Sequence, residues 1–216
     1  MTTPIPTLPV PYYHRDGITL YLGDAAQIAP LLPPSDLLLT DPPYGLNIAA
    51  SGKLGRSNLR FTKSNWDKSP PAPWLLDSLR HKAGAQIVWG GNYFQLPPGK
   101  GWPVWHKLNP QGLSFADCEL AWTNLDTVAR VFTWSWTRHR SDDERRKVHV
   151  TQKPMALMNW CLDLAISARG AVRSVLDPFA GAATTLIACL RRGIACTGIE
   201  LDPEICKLAA ARLAAA

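Results

Sequence analysis

An acid, two prolines and an aromatic residue follow one another in the segment Asp41-Pro42-Pro43-Tyr44, directly after the apolar run 37–39. The run predicts a buried parallel strand, and open α/β sheets bind ligands at the carboxyl ends of their strands. Because proline fixes φ and lacks an N–H group, the turn is stiff and its carbonyl groups stay free. The Asp41 carboxylate, the Pro42 carbonyl and the Tyr44 ring would suit an exocyclic amino group on a planar base. Taken alone, the segment is equally typical of a proline-rich surface turn.

Three further acids, Asp24, Asp177 and Glu200, follow predicted strands in the same way. Acids at such positions often cap helices, so one alone says little about function. Because the carboxyl ends of parallel strands meet at one edge of a sheet, we expect these acids to lie close to Asp41. Four acids at equivalent positions predict a functional site at that edge.

A turn of small residues, Asp-Pro-Phe-Ala-Gly-Ala-Ala-Thr-Thr at 177–185, leads from a predicted strand into a helix. Small residues let the backbone approach a ligand, and a helix N-terminus favours negative charge. Glu200 ends the next strand, where a carboxylate can accept hydrogen bonds from both hydroxyl groups of a ribose. The turn has too few glycines for a tight pyrophosphate cradle, so the pattern favours a nucleoside cofactor without phosphates.

The composition of the chain sets outer limits on what it can be. It has 216 residues, a formal net charge of +6, a pI of about 9.2 and five cysteines. This length predicts one domain with a full core, and the basic excess is compatible with a polyanionic partner. No cysteines form a C-x-x-C pair, which predicts reduced thiols and no metal site. Without a signal-peptide pattern or a membrane-length apolar run, we expect a cytoplasmic protein.

Hydrophobic periodicity predicts alternating strands and helices after a proline-rich, extended lead-in over 1–14. The predicted strands cover residues 18–22, 36–40, 85–89, 102–107, 118–123, 128–134, 172–176 and 195–199. The predicted helices cover residues 25–31, 73–82, 155–168, 186–192 and 203–213. The β-branched and aromatic content of 118–123 and 128–134 predicts that these two strands are antiparallel partners.

Two segments, 45–72 and 137–149, contain basic residues with aromatic residues among or beside them and show no clear hydrophobic periodicity. Long irregular segments in compact domains are often functional, and basic residues interleaved with aromatic ones are typical of nucleic-acid contact surfaces. The residues that we expect to contact nucleic acid are Lys53, Arg56, Arg60, Lys63, Arg138 and Arg140. A solvated loop is the alternative interpretation of both segments.

Four motifs in a fixed order resemble the amino-group DNA methyltransferases that use S-adenosylmethionine. They are Asp-Pro-Pro-Tyr at 41–44, Thr-Gln-Lys-Pro at 151–154, Asp-Pro-Phe-Ala-Gly at 177–181 and Gly-Ile-Glu-Leu-Asp at 198–202. The catalytic motif comes first and the cofactor motif late, which is similar to the beta group of these enzymes. The segments 88–94 and 118–122 also resemble the compact phage and prophage branch, which implies a bacterial or phage-infected cell. The resemblance covers roughly residues 18–213.

The resemblance implies a role for each matching position. Asp41 and the Pro42 carbonyl would hold the target amino group, in a turn stiffened by Pro43, and Tyr44 would stack on the base. The implied cofactor-binding residues are Asp24, Lys153, Asp177, Phe179, Ala180, Gly181, Thr184 and Glu200. Among these, Glu200 would hold the ribose, and Lys153 would help with the cofactor carboxylate or the loop after it. DNA is the implied partner, no metal or membrane is involved, and a homodimer is left open.

The resemblance also implies a three-layer α/β sandwich around a mostly parallel, seven-stranded, circularly permuted Rossmann-like sheet. We expect a single methyltransferase domain over 1–216, with a DNA-contacting insertion at about 45–72 and a reduced target-recognition region at about 107–150. The implied reaction is S-adenosylmethionine-dependent methylation of the N6 amino group of adenine in DNA, and the N4 amino group of cytosine is the nearest alternative. Methylation of RNA or of a protein glutamine, and DNA binding without catalysis, are further alternatives.

The sequence departs from the family pattern at Ala183, where the cofactor loop usually has a second glycine. An added methyl group costs little if φ is negative and more if the position requires a positive φ. The backbone angle at Ala183 therefore bears directly on cofactor binding.

Overall fold

The computed structural model describes residues 7–46, 68–109, 116–135 and 152–216, and every structural statement below refers to these. The strands are β1 (Tyr13–Arg15), β2 (Ile18–Leu22), β3 (Ser35–Thr40), β4 (Ala83–Trp89), β5 (Pro103–His106), β6 (Cys118–Thr123), β7 (Arg130–Thr133), β8 (Ser174–Asp177) and β9 (Ala195–Glu200). The helices are α1 (Ala25–Ile28), α2 (Pro73–Arg80), α3 (Met155–Arg169), α4 (Thr184–Arg191) and α5 (Pro203–Ala214). Short 3₁₀ turns cover Ala29–Leu31 and Gly91–Tyr93.

The strands form one sheet in the order β1-β2-β9-β8-β3-β4-β6-β5-β7. The central pairs β2–β9, β9–β8, β8–β3 and β3–β4 are parallel, whereas β6 runs antiparallel to both β4 and β5. The predicted fold class, a mostly parallel Rossmann-like sheet, is confirmed. In the described residues the sheet has nine strands, whereas the resemblance implied seven and hydrophobic periodicity predicted eight. The strand that periodicity did not predict is β1, which overlaps the expected lead-in and pairs antiparallel with β2.

The predicted pairing of 118–123 with 128–134 is wrong, because β5 lies between these two strands. Val104 of β5 faces Leu120 of β6 in an antiparallel register and Val131 of β7 in a parallel one. Strand propensity indicates that a segment can form a strand, but it does not indicate which other strand will pair with it.

The core lies on both faces of the sheet, which makes the molecule a three-layer sandwich. Along β3, Leu37 and Leu39 belong to the cluster that includes residues of α3, α4 and α5, whereas Leu38 belongs to the cluster with α1 and α2. This alternation follows from the two-residue period of a strand. The central strands are therefore buried on both sides, and their carboxyl ends are the accessible part of the sheet. None of the helices described is long and apolar enough to cross a membrane.

Helix boundaries differ from the sequence predictions at two points near this edge. The predicted helix over 25–31 consists of α1 followed by the 3₁₀ turn Ala29–Leu31. Lys82 Nζ donates hydrogen bonds to the carbonyl groups of Pro30 (2.8 Å) and Leu32 (2.7 Å), which fixes the end of this turn. The helix predicted over 186–192 begins earlier, at Thr184, so its first turn reaches the sheet edge.

Candidate active site

The four acids that follow β2, β3, β8 and β9 line one cleft, as the sequence predicted. Asp24, Asp41, Asp177 and Glu200 all border it. The cleft therefore lies at the carboxyl ends of four neighbouring parallel strands.

Asp41 lies at one end of this cleft, where both oxygens of its carboxylate have partners. The Tyr44 hydroxyl donates to Asp41 Oδ1 (2.5 Å), and Lys153 Nζ donates to Asp41 Oδ2. A carboxylate oxygen has two lone pairs, so each oxygen keeps one for a further donor. Burial raises the pKa of Asp41, and the Lys153 ammonium opposes that rise.

The Tyr44 ring is held by the turn that follows β4. Tyr93 stacks on it with ring centroids 4.9 Å apart and an angle of 16° between the planes, and Phe94 makes an edge contact at 6.2 Å. Gly90 makes this packing possible, since a Cβ atom there would lie 2.0 Å from the Tyr44 ring. With φ at +69°, Gly90 also adopts a conformation that other residues rarely take.

Lys153 lies beside Asp41, although the sequence analysis assigned it to the cofactor. Its side chain is buried, with 8% exposed, and forms ion pairs with Asp41 and with Glu119 on β6. Burial alone would lower the pKa of Lys153, but the two carboxylates outweigh it and raise that pKa. Sequence reasoning gave Glu119 no role, and the only signal for it was its place within the motif 118–122.

The other end of the cleft is formed by the turn between β8 and α4 and by the end of β9. Glu200 accepts hydrogen bonds from the backbone N–H groups of Gly181 (2.8 Å) and Asp202 (2.8 Å). The Ala180 N–H donates to the Ile199 carbonyl (2.9 Å), which joins the turn to β9. Burial raises the pKa of Glu200 to about 7 in spite of the two N–H donors.

Two more of the predicted acids have structural partners within the cleft. Asp177 accepts a hydrogen bond from the Thr40 hydroxyl (2.9 Å), and burial raises its pKa to about 6. Asp24 accepts from the Ala26 N–H (2.8 Å) and so caps α1. Because β2 pairs with β9 and Leu22 faces Glu200 in the register, Asp24 lies beside the Glu200 end of the cleft.

A family model for DNA methylases (N6_N4_Mtase) matches residues 103–211, which is half of the chain. The chain belongs to this family of N6/N4 DNA methylases. The matched range contains Lys153, the turn 177–185 and Glu200, while Asp41 precedes it. The beta-type motif order and the phage-like branch stay predictions from sequence.

Individual relatives agree with the family. The chain is 22% identical to the type II methyltransferase M2.DpnII of Streptococcus pneumoniae, over 95% of this chain and 92% of that protein. Among solved structures, it resembles an M1.HpyAVI–SAM complex with a TM-score of 0.58 at 20% identity, over 91% of this chain and 98% of that one. It also resembles the cytosine-N4-specific PvuII DNA methyltransferase with a TM-score of 0.59 at 16% identity, over 90% and 86% of the two chains.

The methylase has a strained backbone at Ala183, the position of the usual glycine. Its φ is +61°, the left-handed conformation in which a Cβ atom is unfavourable. The residue is fully buried in the core cluster around α4, whereas its neighbours Ala182 and Thr184 border the cleft. The extra methyl group therefore strains the backbone and leaves the cleft open.

The residues expected to contact nucleic acid, Lys53, Arg56, Arg60, Lys63, Arg138 and Arg140, lie outside the described residues. Phe179, Ala180 and Gly181 border the cleft as expected, and so does Thr184 at the start of α4.

Proposed function

We propose that this methylase transfers a methyl group from S-adenosylmethionine to the N6 amino group of adenine in DNA. One observation carries the proposal: Asp41, an acceptor for an amino group, and Glu200, an acceptor for ribose hydroxyls, border the same cleft. The family and the fold support the chemistry in its broader form, methylation of an amino group on a DNA base.

The residues at the Glu200 end of the cleft fit a nucleoside with a small charged tail. A Cβ atom at Gly181 would meet nothing within 4 Å, so the turn leaves room for a ligand beside it. We assign the ribose to Glu200, the adenine to the surroundings of Asp24, and the carboxylate of the tail to the first turn of α4 near Thr184. Phe179, Ala180 and Asp177 complete this part of the cleft.

S-adenosylmethionine supplies a methyl group bound to a positively charged sulfur, so the base gains that methyl group and releases one N–H proton. The exocyclic nitrogen of adenine is a poor nucleophile because its lone pair is delocalised into the ring. Asp41 and the Pro42 carbonyl would accept its two N–H groups and draw the nitrogen toward tetrahedral geometry. Most of the rate enhancement would then come from positioning and from fixed electrostatics.

The target base must leave the double helix to reach Asp41, which implies base flipping. Tyr44 would replace the lost stacking. Because Tyr93 already stacks on one face of the Tyr44 ring at 4.9 Å, the base would use the other face or displace Tyr93. We further propose that residues 45–72 contact DNA and that the short region 107–150 gives a short or relaxed recognition sequence.

The test uses unmethylated DNA and S-adenosylmethionine with an isotope-labelled methyl group, followed by digestion to nucleosides and mass spectrometry. Labelled N6-methyldeoxyadenosine is the expected product. Labelled N4-methyldeoxycytidine would keep the mechanism and change the base, and an absence of label on DNA would refute the proposal. DNA methylated beforehand at its adenines is the matched control and should accept no label.

A further inference from the structure

Four charged side chains form a continuous chain that starts at Asp41 and leads away from the cleft. Lys153 pairs with Asp41 and with Glu119 Oε2 (3.0 Å), and Lys107 pairs with Glu119 Oε1 (2.5 Å). The charges alternate in sign, and the exposed fractions of these side chains lie between 8% and 23%. We call these four residues the buried charge chain.

Glu119 and Lys107, the two residues of the buried charge chain farther from Asp41, are held in position by β6 and β5. Glu119 faces Trp105 in the antiparallel register of β6 and β5, and Lys107 Nζ lies 5.1 Å from the centre of the Trp105 ring. The Lys107 N–H donates to the Asp117 carbonyl (2.9 Å), which extends the β5–β6 pairing by one residue. Glu119 is thus a fixed negative charge directly behind Lys153.

The ion pair between Asp41 and Lys153 does not by itself require the second carboxylate of Glu119. Removing charges from water is costly, and a pair is stabilised only when both partners are well matched. Asp41 and Lys153 already form such a pair, and Lys153 also lies within 3.3 Å of the Tyr44 hydroxyl. Glu119 adds a second carboxylate to the same ammonium, so Lys153 is shared between two acids, and Lys107 beyond Glu119 brings the net charge of the four groups to zero.

We propose that Lys153 and Glu119 are positioning residues for Asp41: Lys153 keeps the Asp41 carboxylate ionised, and Glu119 neutralises Lys153 so that the negative charge of Asp41 acts on the target amino group. This inference rests on the proposed function. The amino nitrogen acquires positive charge as the methyl group is transferred. If Lys153 were paired with Asp41 alone, it would neutralise that carboxylate more fully, and Asp41 would stabilise the positive charge less.

The groups that act on Asp41 come from four places in the fold. They are Tyr44 in its own turn, Glu119 on β6, Lys153 before α3 and Asp177 at the end of β8. Of these, Lys153 is the only cation among the described residues in that set. Burial raises the pKa of Asp41 and Glu119 raises it further, so without Lys153 the carboxyl group would take up a proton more readily.

The first test is the pH dependence of methyl transfer by Lys153→Met, which keeps the length of the side chain. Asp41 loses its cation, so we expect the acidic limb of the rate profile to move to higher pH, with activity partly recovered in alkaline buffer. A side chain that only fills space would lower the rate equally at every pH, and that result would overturn the proposal.

The second test uses Glu119→Gln, alone and combined with Lys153→Met. Alone, it should lower kcat about tenfold to a hundredfold, the range seen when outer-shell partners of metal ligands are removed, with the KM for S-adenosylmethionine unchanged. In the Lys153→Met background it should instead raise the rate, because it removes the carboxylate that favours protonation of Asp41. Opposite effects of Glu119→Gln on the rate in the two backgrounds are expected only if the charges of Glu119 and Lys153 balance each other.

Asp126→Asn is the matched control, since it breaks the exposed ion pair with Lys100 (2.8 Å) and neither of these residues borders the cleft. It should leave kcat and the pH profile unchanged. Thermal unfolding and cofactor titration show whether each variant is folded. If the unaltered protein methylates DNA but Glu119→Gln lowers the rate in both backgrounds, or in neither, the inference fails while the proposed function stands. If the unaltered protein transfers no label, the proposed function itself fails.

Discussion

At the scale of single residues, we expect the charge of Asp41 to decide whether the cleft can hold an amino group. Asp41→Asn keeps the size of the side chain and replaces one acceptor with a donor. We expect methyl transfer to fall by about 10²- to 10³-fold, the usual cost of one preorganised electrostatic contact. Cofactor affinity should stay within about twofold, because β8 separates the strand that ends at Asp41 from the strand that ends at Glu200.

The control for this variant lies at the other end of the same strand. Asp36 accepts hydrogen bonds from the N–H groups of Arg173 (2.7 Å) and Ser174 (3.1 Å) and has no place in the cleft. Asp36→Asn should therefore lower stability and leave transfer by the folded protein intact. Equal activity of Asp41→Asn and the unaltered protein would refute the mechanism.

Glu200 links cofactor binding to pH through its raised pKa of about 7. Only the ionised carboxylate accepts bonds from both ribose hydroxyls. We expect affinity for S-adenosylmethionine to weaken as the pH falls below about 7, approaching tenfold per pH unit. Glu200→Gln should bind weakly at every pH, and titration calorimetry of both proteins at several pH values would measure the difference.

The same group has the opposite effect on the stability of the protein without cofactor. Its pKa in the folded state lies above the ordinary value of 4.5, so the folded protein binds more protons than the unfolded chain. The free energy of unfolding should therefore fall as the pH rises from about 5 to about 7. A cofactor affinity that is independent of pH in the unaltered protein would contradict the role of Glu200.

At the scale of elements, the turn after β4 holds the aromatic stack of the active site. Gly90→Ala should lower stability by about 1–2 kcal/mol for its left-handed backbone and should also displace the Tyr44 ring, which the new methyl group would meet at 2.0 Å. We expect loss of methyl transfer with cofactor binding retained. Gly170→Ala is the matched control, because φ is +80° there and nothing lies within 4 Å. It should lower stability alone.

The turn before α4 offers the reverse experiment. Ala183→Gly relieves a left-handed backbone that costs about 1–2 kcal/mol and loses a buried methyl group worth about 0.8 kcal/mol. We expect the free energy of unfolding to rise by up to about 1 kcal/mol in chemical denaturation. Ala182→Gly, at a position without a positive φ, should lower it instead. A lower stability for Ala183→Gly would show that the methyl contacts outweigh the strain.

The elements also show what the sequence could predict. Four of the parallel strands, β2, β3, β8 and β9, end at an acid or shortly before one. These acids therefore indicated the position of the sheet edge from sequence, and they do share one cleft. The neighbour of each outer strand could not be read in this way, because β5 inserts between β6 and β7 through contacts that strand propensity does not encode. The partners of Lys153 were missed for the same reason: Asp41 and Glu119 are distant in sequence and meet only through the sheet order.

At the scale of the whole molecule, the net charge of +6 favours binding to a polyanion. Substitutions in the predicted contact segment, 45–72, test whether DNA binding depends on that segment or on the overall charge. DNA binding that neutralises phosphates weakens with salt, with a slope of about −0.9 per contact on a logarithmic plot. Replacing Lys53, Arg56, Arg60 and Lys63 together with glutamine should reduce the magnitude of that slope by about 3 to 4 if all four contact phosphates.

The matched control removes the same total charge from exposed positions outside the cleft, at Arg15, Lys100, Arg169 and Lys207. These residues lie on separate elements, so their replacement should change the slope by less than one contact, about 0.9. Fluorescence anisotropy with labelled DNA at several salt concentrations measures both slopes. Equal slopes for the two variants would mean that overall charge attracts DNA without a dedicated segment, and residues 45–72 would then lose their proposed role.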